Sequence, residues 1–422
     1  MKQNVVAYKS KEASYMIKTY NFREDTLLLG TCNNFKEIKD TVDEIIYNNK
    51  ELLPKSKDSH ILLKPNLNND LNALTGNSTD LRIIAAIVKS LKDHGYCNIT
   101  IADGPNVGID RRNIDVFKRL RIDKFARFYN VNILNLNRCV AIKVKLATDY
   151  ANIASVCLKA DFIINIPKIK THAEAIMSSV MKNLVGCVIG QEKRKMHNDL
   201  ARNIIRLNEV IKPGLHIVDG IIAMEGNGPG DGKPRKLGII IAGHNPFLVD
   251  LAITKLVGLD WQKIGYLSLA RNKGYFTDKD IMQIEKNISS IVNIEKAPEK
   301  NFIAKISELK ELYWLKRLMR SITSQKLISE LAYKLKIIQD RYSMEEDEIE
   351  AVNRDGEKCL SCGECNIYCP TGIETQKIGQ MPADNRCINC LYCFFICPND
   401  ALKITGKQGF MKRHIEKYKA MV

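Results

Sequence analysis

The sequence predicts an α/β protein, in which a mostly parallel sheet carries helices on both faces and a small cysteine-rich domain follows. Over the first ~300 residues, short β-branched runs alternate with segments of helical periodicity, a pattern typical of α/β sheets. Later, eight cysteines are concentrated between Cys359 and Cys397, a stretch too short for a large core. With 45% hydrophobic residues in a chain of 422, the first region can bury a sizeable core.

Seven strands and six helices are predicted in the first domain, residues 1–299. The strands are predicted at Val5–Tyr8, Ile61–Lys64, Ile99–Asp103, Asn132–Leu136, Phe162–Ile166, His216–Asp219 and Leu237–Ala242. The helices are predicted at Phe35–Asn48, Thr79–His94, Arg112–Phe128, Ala173–Leu184, Asp199–Ile211 and Pro246–Val257. The second helix has the clearest signals, because Thr79 can cap its start and Gly95 can end it.

Polar loops follow five of the predicted strands. The carboxyl ends of parallel strands meet at one edge of a sheet, which is where ligands bind in open α/β folds. We therefore expect the five loops to converge on one site, with Asn66 and Asp103 among its binding residues. These loops begin at Lys64, Asp103, Pro167, Asp219 and Gly243.

The loop that begins at Pro167 carries basic side chains at every second position. Single residues separate Lys168, Lys170 and His172, so an extended backbone would point their side chains to the same side. A partly buried pocket with such groups suits a carboxylate or phosphate, and burial would lower the pKa of the lysines and the histidine. We expect the two lysines to bind an anionic substrate.

Further candidates for the same site lie nearby in the sequence. Lys64, Lys182 and Asn183 are expected to bind substrate, and His172 or His197 would exchange a proton with it. For the basic run 193–195, which precedes His197, a solvated surface loop is the favoured interpretation.

The glycine-rich segment 226–232 matches neither the dinucleotide fingerprint nor the P-loop spacing, and a strand is predicted after it. A Rossmann or P-loop site is therefore disfavoured. Alternating glycines still allow close backbone approach to a ligand, so Gly226, Asn227 and Gly228 are expected to bind substrate. Glu225 is a candidate general base or metal ligand, with an ordinary exposed glutamate as an equal alternative.

Two copies of a C-x2-C-x2-C-x3-C-P run begin at Cys359 and Cys387. This is the bacterial ligand pattern for [4Fe–4S] clusters, in which the fourth thiolate of each run binds the cluster of the other run. Structural zinc and disulfides fit less well, because the duplicated run closed by proline is specific and nothing else indicates secretion. The expected ligands are Cys359, Cys362, Cys365 and Cys397 for one cluster, and Cys387, Cys390, Cys393 and Cys369 for the other.

Several segments resemble the family catalogued as domain of unknown function 362. They are Leu62–Asn66, Ala160–Gly186, Lys195–His197 and Val218–Pro229. Residues 351–405 resemble two-cluster ferredoxins, which implies a small α+β ferredoxin-like domain. Members of the first family are often fused to such a ferredoxin, and the resemblance implies an architecture and a site but no named reaction.

Residues 300–350 are predicted to form an amphipathic, basic helical connector, and residues 406–422 a basic tail. Packing of the connector's apolar stripe on the large domain is favoured over docking on an anionic membrane surface or an acidic partner. The acidic stretch Glu345–Glu348 is interpreted as a solvated hinge.

The net charge is +16, but the excess of basic residues is diffuse and no nucleic-acid module is present. We expect a solvated basic surface and no nucleic-acid partner. No apolar run reaches the ~18 residues of a membrane span, and residues 1–8 lack a signal-peptide core, so a cytoplasmic location is expected.

Together, these features predict an iron–sulfur oxidoreductase. Two [4Fe–4S] clusters would relay single electrons to an anionic substrate or cofactor at the carboxyl edge of the sheet, with a redox protein as donor or acceptor. Two alternatives stay open. One is a non-catalytic electron-transfer or assembly partner whose large domain recognises a protein, and the other is a non-redox enzyme with structural clusters.

Overall fold

The computed structural model describes residues 7–8, 16–22, 25–298 and 342–418. The predicted connector therefore lies outside the described residues up to position 341. An 11-stranded sheet forms the body of the large domain. The predicted fold class is confirmed, because the sheet is mostly parallel at its centre and a separate small domain follows.

The strands of the large domain are β1 (Ala7–Tyr8), β2 (Ile17–Asn21), β3 (Thr26–Thr31), β4 (Ile61–Pro65), β5 (Ile99–Asp103), β6 (Asn132–Asn135), β7 (Ala141–Lys145), β8 (Tyr150–Ala154), β9 (Phe162–Ile166), β10 (Lys168–His172), β11 (Ile176–Ser178), β12 (Leu215–Glu225) and β13 (Lys233–Gly243). Its α-helices are α1 (Phe35–Asn48), α2 (Leu81–Asp93), α3 (Val107–Arg111), α4 (Val116–Arg119), α5 (Ile122–Tyr129), α6 (Val156–Lys159), α7 (Val180–Asn183), α8 (Leu200–Ile211), α9 (Pro246–Leu256), α10 (Gly265–Asn272) and α11 (Asp278–Asn287).

The main sheet has the order β1-β2-β3-β13-β12-β9-β4-β5-β6, and β10 pairs with β12 and β11 beside it. Strands β6, β5, β4, β9 and β12 pair in parallel. Strands β13, β3, β2 and β1 continue the sheet in antiparallel fashion. The parallel part therefore places the ends of β4, β5 and β9 at one edge.

The fifth predicted site loop, which follows Gly243, lies elsewhere. Strand β13 runs antiparallel to β12, so its carboxyl end reaches the opposite edge of the sheet. There His244 lies 2.6 Å from the carboxylate of Asp25. The prediction that five loops converge is wrong for this one.

Two predicted helices are also wrong. The segment predicted as Arg112–Phe128 breaks into short helices, with Asn113 and Arg121 in the left-handed region at φ 54° and 62°. The segment predicted as Ala173–Leu184 forms the hairpin of β10 and β11 and then the single turn α7. Ile176 turns this hairpin at φ 64°, a conformation that a β-branched residue rarely adopts.

Helices cover both faces of the sheet. On one face, the buried residues Ile45 of α1 and Ile84 of α2 belong to an apolar core that continues into the small domain. On the other face, Ile204 of α8, Leu251 of α9 and Leu267 of α10 belong to a second core. Among the described residues, no helix is long and apolar enough to cross a membrane.

The small domain contains the antiparallel pair β14 (Glu348–Arg354) and β15 (Leu402–Lys407), and the helices α12 (Glu364–Ile367), α13 (Tyr392–Ile396) and α14 (Phe410–Tyr418). The acidic stretch before it is solvated at Glu345, Glu346 and Glu348, which are exposed, but not at Asp347. Glu346 pairs with the buried Arg119 at 2.7 Å. Asp347 is 9% exposed and accepts the backbone N–H groups of Gly409 and Met411 at the start of α14.

Candidate functional site

The eight clustered cysteines line two cavities of the small domain. Cys369 shares one cavity with the first three cysteines of the second run, Cys387, Cys390 and Cys393. Cys397 shares the other with Cys359, Cys362 and Cys365. Each cavity therefore combines three thiols of one run with the fourth thiol of the other, which is the arrangement that the crossed ligand sets require.

The surroundings of these thiols fit iron–sulfur clusters. Ile373, Ile378 and Ile388 line the cavity of Cys369 and limit access of water to it. In each run, the fourth cysteine accepts a backbone N–H on sulfur: Ile373 donates to Cys369 at 3.4 Å and Ala401 donates to Cys397 at 3.2 Å. Such bonds to sulfur tune the reduction potentials of clusters.

The two cysteine cavities differ in their position. The cavity of Cys369 adjoins the large domain, and Ile388, Leu391 and Tyr392 beside it belong to the shared apolar core. The other cavity is lined by surface residues such as Cys362, which is exposed, and Leu360, which is 65% exposed.

A polar cavity of about 250 Å³ lies in the large domain, bounded by the loops that follow β4, β5 and β10. It brings together seven of the predicted site residues. These are Asn66, Asp103, Lys170, His172, Lys182, Asn183 and His197.

Other residues of the cavity lining were not predicted. Lys193 is 5% exposed and lies in the wall, so the interpretation of its basic run as a solvated loop is wrong for this lysine. Pro229 and Gly230 reach the cavity from the glycine-rich segment, and Tyr342 reaches it from the stretch before the small domain. Tyr342 donates its hydroxyl hydrogen to Asn106 at 3.2 Å.

Two predicted lysines lie behind the wall instead of in it. Lys64 donates to Asp103 at 2.6 Å, and both side chains are buried. Lys168 donates to Asp219 at 2.8 Å with both side chains fully buried. Lys168 pairs with Asp219 and Lys170 with Met224, so the irregularity in the register lies on β12.

Glu225 and the three residues after it also lie outside the cavity lining. The carboxylate of Glu225 accepts the backbone N–H of Glu295 at 3.0 Å. The carbonyl of Gly226 accepts the hydroxyl of Thr171 at 2.8 Å, and a Cβ at position 228 would lie 2.1 Å from the Thr171 carbonyl. The absence of side chains thus lets this segment pack on β10.

A chain of side-chain amides fixes one wall of the cavity. The Nζ of Lys170 donates to the Oδ1 of Asn66 at 2.9 Å, and the Nδ2 of Asn66 donates to the Oδ1 of Asn183 at 2.8 Å. The Nδ2 of Asn183 in turn donates to the Oδ1 of Asn165 at 2.8 Å. Because each amide both donates and accepts, the orientation of every member is defined.

Three lysines of the lining have lowered pKa values. Burial and then the charge of Lys182 lower the pKa of Lys170 to about 7. Burial lowers the pKa of Lys182 to about 8, and it does the same for Lys193. The cavity therefore holds cations that an anion would stabilise.

Asp250 orders the turn that presents two of these groups. Its carboxylate accepts the backbone N–H groups of Val180 at 2.9 Å and Met181 at 3.0 Å, at the start of α7. Helix α7 carries Lys182 and Asn183 into the cavity. Burial raises the pKa of Asp250 to about 7.

The two histidines of the cavity have opposite proton arrangements, as inferred from their partners. The Nδ1 of His172 accepts the backbone N–H of Glu174 at 3.0 Å and that of Ala175 at 3.2 Å, so the ring proton lies on Nε2. The Nδ1 of His197 lies 2.5 Å from the carboxylate of Glu174 and donates to it, so in the neutral ring the lone pair is on Nε2. His172 is thus a hydrogen-bond donor and His197 a base.

Sequence reasoning missed Glu174, because the segment that contains it was predicted as a helix. An acidic residue two positions after His172 was the available signal.

The small domain docks close to this cavity. The backbone N–H of Leu81, at the start of α2, donates to the hydroxyl of Tyr392 at 3.2 Å. Two residues before Leu81, the hydroxyl of Thr79 accepts the backbone N–H of Asn66 at 2.8 Å. These two hydrogen bonds and the segment 79–81 between them therefore connect the cysteine cavity to the wall that holds Lys170.

Comparisons with known proteins match both parts of the chain. Residues 61–255 match the family described as Domain of unknown function (DUF362). Residues 351–409 match the 4Fe-4S dicluster domain. The predicted fusion of these two regions is confirmed.

Three curated relatives cover parts of the chain. A thylakoid-associated protein of Synechocystis sp. is 31% identical over 224 residues, 47% of this chain and 63% of that protein. NADH-quinone oxidoreductase subunit I 2 of Geobacter metallireducens is 36% identical over 67 residues, 13% of this chain and 51% of that subunit. Pyruvate synthase subunit PorD of Methanocaldococcus jannaschii is 40% identical over 50 residues, 11% of this chain and 58% of that subunit. The chain thus spans between 51% and 63% of the length of these relatives.

Proposed function

We propose that this protein is an iron–sulfur oxidoreductase that acts on an anionic substrate or cofactor in the cavity of Lys170, His172, Lys182 and His197. When bound, two [4Fe–4S] clusters supply one-electron transfer. The crossed sets of cysteines that line the two cavities of the small domain would hold them. Similarity of the small domain to subunits of two redox enzymes supports a redox protein as donor or acceptor.

The observation that carries this proposal is the contact between the two domains. Tyr392, two residues after Cys390, accepts the Leu81 N–H at the start of α2. The loop before α2 holds the same wall of the cavity, because the Asn77 carbonyl accepts a hydrogen bond from Lys170 at 3.0 Å. A module that only recognised a protein would not need a buried cationic cavity in the domain on which the cysteine domain docks.

Different residues of the cavity would bind the substrate, donate a hydrogen bond to it and exchange a proton with it. Lys182 and Lys193 would neutralise the negative charge of the substrate, and burial strengthens that interaction. The Nε2–H of His172 would donate to an oxygen on which charge develops. His197, oriented by Glu174, would take up or return the proton that accompanies an electron. Lys64 and Lys168 act through Asp103 and Asp219 and are assigned positioning roles.

The test uses the whole chain, reconstituted with iron and sulfide under anaerobic conditions. The clusters are reduced with dithionite, the excess is removed, and carboxylates and phosphorylated compounds are screened for those that restore the visible absorption of oxidised clusters. We expect Lys182→Gln and His197→Gln to slow this reoxidation at least tenfold, and the control Lys55→Gln on the exposed surface to leave it unchanged.

Two results would overturn the proposal. If both cavity variants passed electrons at the wild-type rate, the protein would be a carrier with a large domain for recognition. If the clusters could not be reduced and reoxidised, they would be structural, as in a non-redox enzyme.

A further inference from the structure

We propose that Lys170 is the nucleophile of the cavity and forms an imine with the carbonyl carbon of a 2-oxo acid. This inference deepens the proposed function by naming the substrate class, and it rests on that function only in using the same cavity.

The buried lysines of this region fall into two groups. Lys64 and Lys168 each donate to a buried aspartate, at 2.6 Å and 2.8 Å. Lys170 is 1% exposed and donates instead to two neutral oxygens, Oδ1 of Asn66 and the carbonyl of Asn77. Among the described residues, no carboxylate accepts a hydrogen bond from it.

The geometry of the Lys170 nitrogen suits attack on a carbonyl. Its two hydrogen bonds occupy two tetrahedral positions and fix the amine against the wall. The remaining position, which holds the lone pair in a neutral amine, is left for a ligand in the cavity that Lys170 lines.

The charged groups around Lys170 favour the neutral amine. Lys182, Lys168 and Lys64 act on it with positive charge, and Asp103 partly opposes them. Together with burial they lower its pKa to about 7, so a large fraction of the amine is neutral near physiological pH. A buried lysine beside a second cation is an established way to activate this nucleophile.

Lys182 defines the rest of the substrate. It lines the same cavity, and within the described part of the chain its ammonium group has no hydrogen-bond partner. Lys170 lines this cavity too, and the charge of Lys182 acts on its amine. A carboxylate bound to Lys182 would therefore place an adjacent carbonyl at Lys170, which is the arrangement of groups in a 2-oxo acid.

The covalent step balances without any electron transfer. The neutral amine of Lys170 adds to the carbonyl carbon, and a C–N bond forms. The carbonyl oxygen then leaves as water with the two protons that the amine loses, and the product is the imine. His197 can carry these protons, because its Nε2 has a lone pair when the Nδ1 proton faces Glu174.

The test traps the imine by reduction. The full chain with oxidised clusters is incubated with pyruvate, 2-oxobutyrate or 2-oxoglutarate and then with cyanoborohydride, and the product is examined by intact mass and by peptide mapping. We expect one adduct per chain, at Lys170, with Lys64 and Lys168 unmodified in the same map. Lys170→Arg should yield no adduct above that of exposed lysines.

Lys182→Gln tests the neighbouring charge. Loss of that charge raises the pKa of Lys170 and removes the carboxylate partner, so adduct yield at pH 7 should fall at least tenfold. The inference is overturned if no 2-oxo acid modifies Lys170 above the background of exposed lysines from pH 6 to pH 9, or if Lys182→Gln leaves the yield unchanged. Mapping of the wild type needs no variant, so a poorly folded Lys170→Arg would not obscure the result.

The outcomes separate this inference from the proposed function. If a 2-oxo acid were trapped on Lys170 but did not reoxidise the reduced clusters, imine formation would be supported and the redox function would be contradicted. Reoxidation by a substrate without any trapping would retain the redox role and remove the imine.

Discussion

The backbone N–H of Leu81 donates a 3.2 Å hydrogen bond to the hydroxyl of Tyr392, across the boundary between the large and small domains. Both residues are buried, at 3% and 2% exposure. Nearby, the guanidinium of Arg82 lies 4.2 Å from the ring centroid of Tyr368 and pairs with Asp80 at 2.7 Å. The domains are therefore joined by specific polar contacts within a continuous apolar core.

Tyr392→Phe should lower the free energy of unfolding by about 1–3 kcal/mol, because the buried N–H of Leu81 would lose its acceptor. Anaerobic urea denaturation followed by circular dichroism measures this change. Tyr47→Phe is the control, since Tyr47 is 58% exposed and should change stability by less than about 0.5 kcal/mol. Equal effects of the two variants would contradict the assigned bond.

Crossed ligation predicts different iron contents for two double variants. Cys397→Ala should remove one cluster and leave about four of about eight irons per chain. Adding Cys362→Ala should remove no more, because both thiols belong to the same set, whereas adding Cys390→Ala should remove nearly all. Iron and sulfide analysis decides the point. Four irons retained in Cys397→Ala with Cys390→Ala would indicate uncrossed ligation.

Lys170 should make stability depend on pH. Its pKa is lowered from 10.5 to about 7 in the folded chain, so between these values the unfolded chain binds more protons and stability rises with pH. The slope of the unfolding free energy against pH reaches about 1.4 kcal/mol per pH unit between these values and falls to zero below pH 7. Lys170→Met should flatten the curve of unfolding free energy between pH 7 and pH 9. Lys55→Met, on the exposed surface, should retain the wild-type slope, and an unchanged slope in Lys170→Met would contradict the shift.

Glu174→Ala should change the proton arrangement of His197 and leave that of His172 unchanged. The backbone N–H of residue 174 remains, so His172 keeps its acceptor Nδ1 and its Nε2 proton. His197 loses its carboxylate partner and should become a mixture of tautomers. Selective ¹⁵N labelling of histidine with NMR of the oxidised protein reports both rings. If His197 kept a single tautomer in the variant, Glu174 would not be its orienting group.

Much of the large domain could be predicted from local pattern. The bounds of β5, β9 and α1 agree with the sequence prediction, because buried runs and a capped amphipathic helix give strong signals. The direction of β13 could not be read from its own residues, since an apolar strand looks alike in both directions. The predicted strands left residues 220–236 between them, whereas in the structure only residues 226–232 connect β12 and β13, which is too short for a parallel crossover.

Site residues could be predicted where their position depends only on the order and direction of the strands. Asn66 and Asp103 lie at the cavity because the ends of parallel strands share an edge. Lys168 does not line it, because its amine is paired with the buried Asp219 of β12. Lys193 was missed because a basic run is usually solvated, and only the folded chain shows the oxygens of Asn137 and Val188 that accept its hydrogen bonds.

The two cysteine cavities lie at different positions, so electrons would pass through the small domain in a defined order. The cavity of Cys362 opens among exposed residues, where an external redox protein can approach it. The cavity of Cys390 lies against the large domain, on the side of Tyr392 and Leu81. A partner would therefore meet the outer site first, and the inner site would stand between that partner and the substrate. Such an order would make the small domain a two-step relay whose outer end meets the donor and whose inner end lies against the large domain.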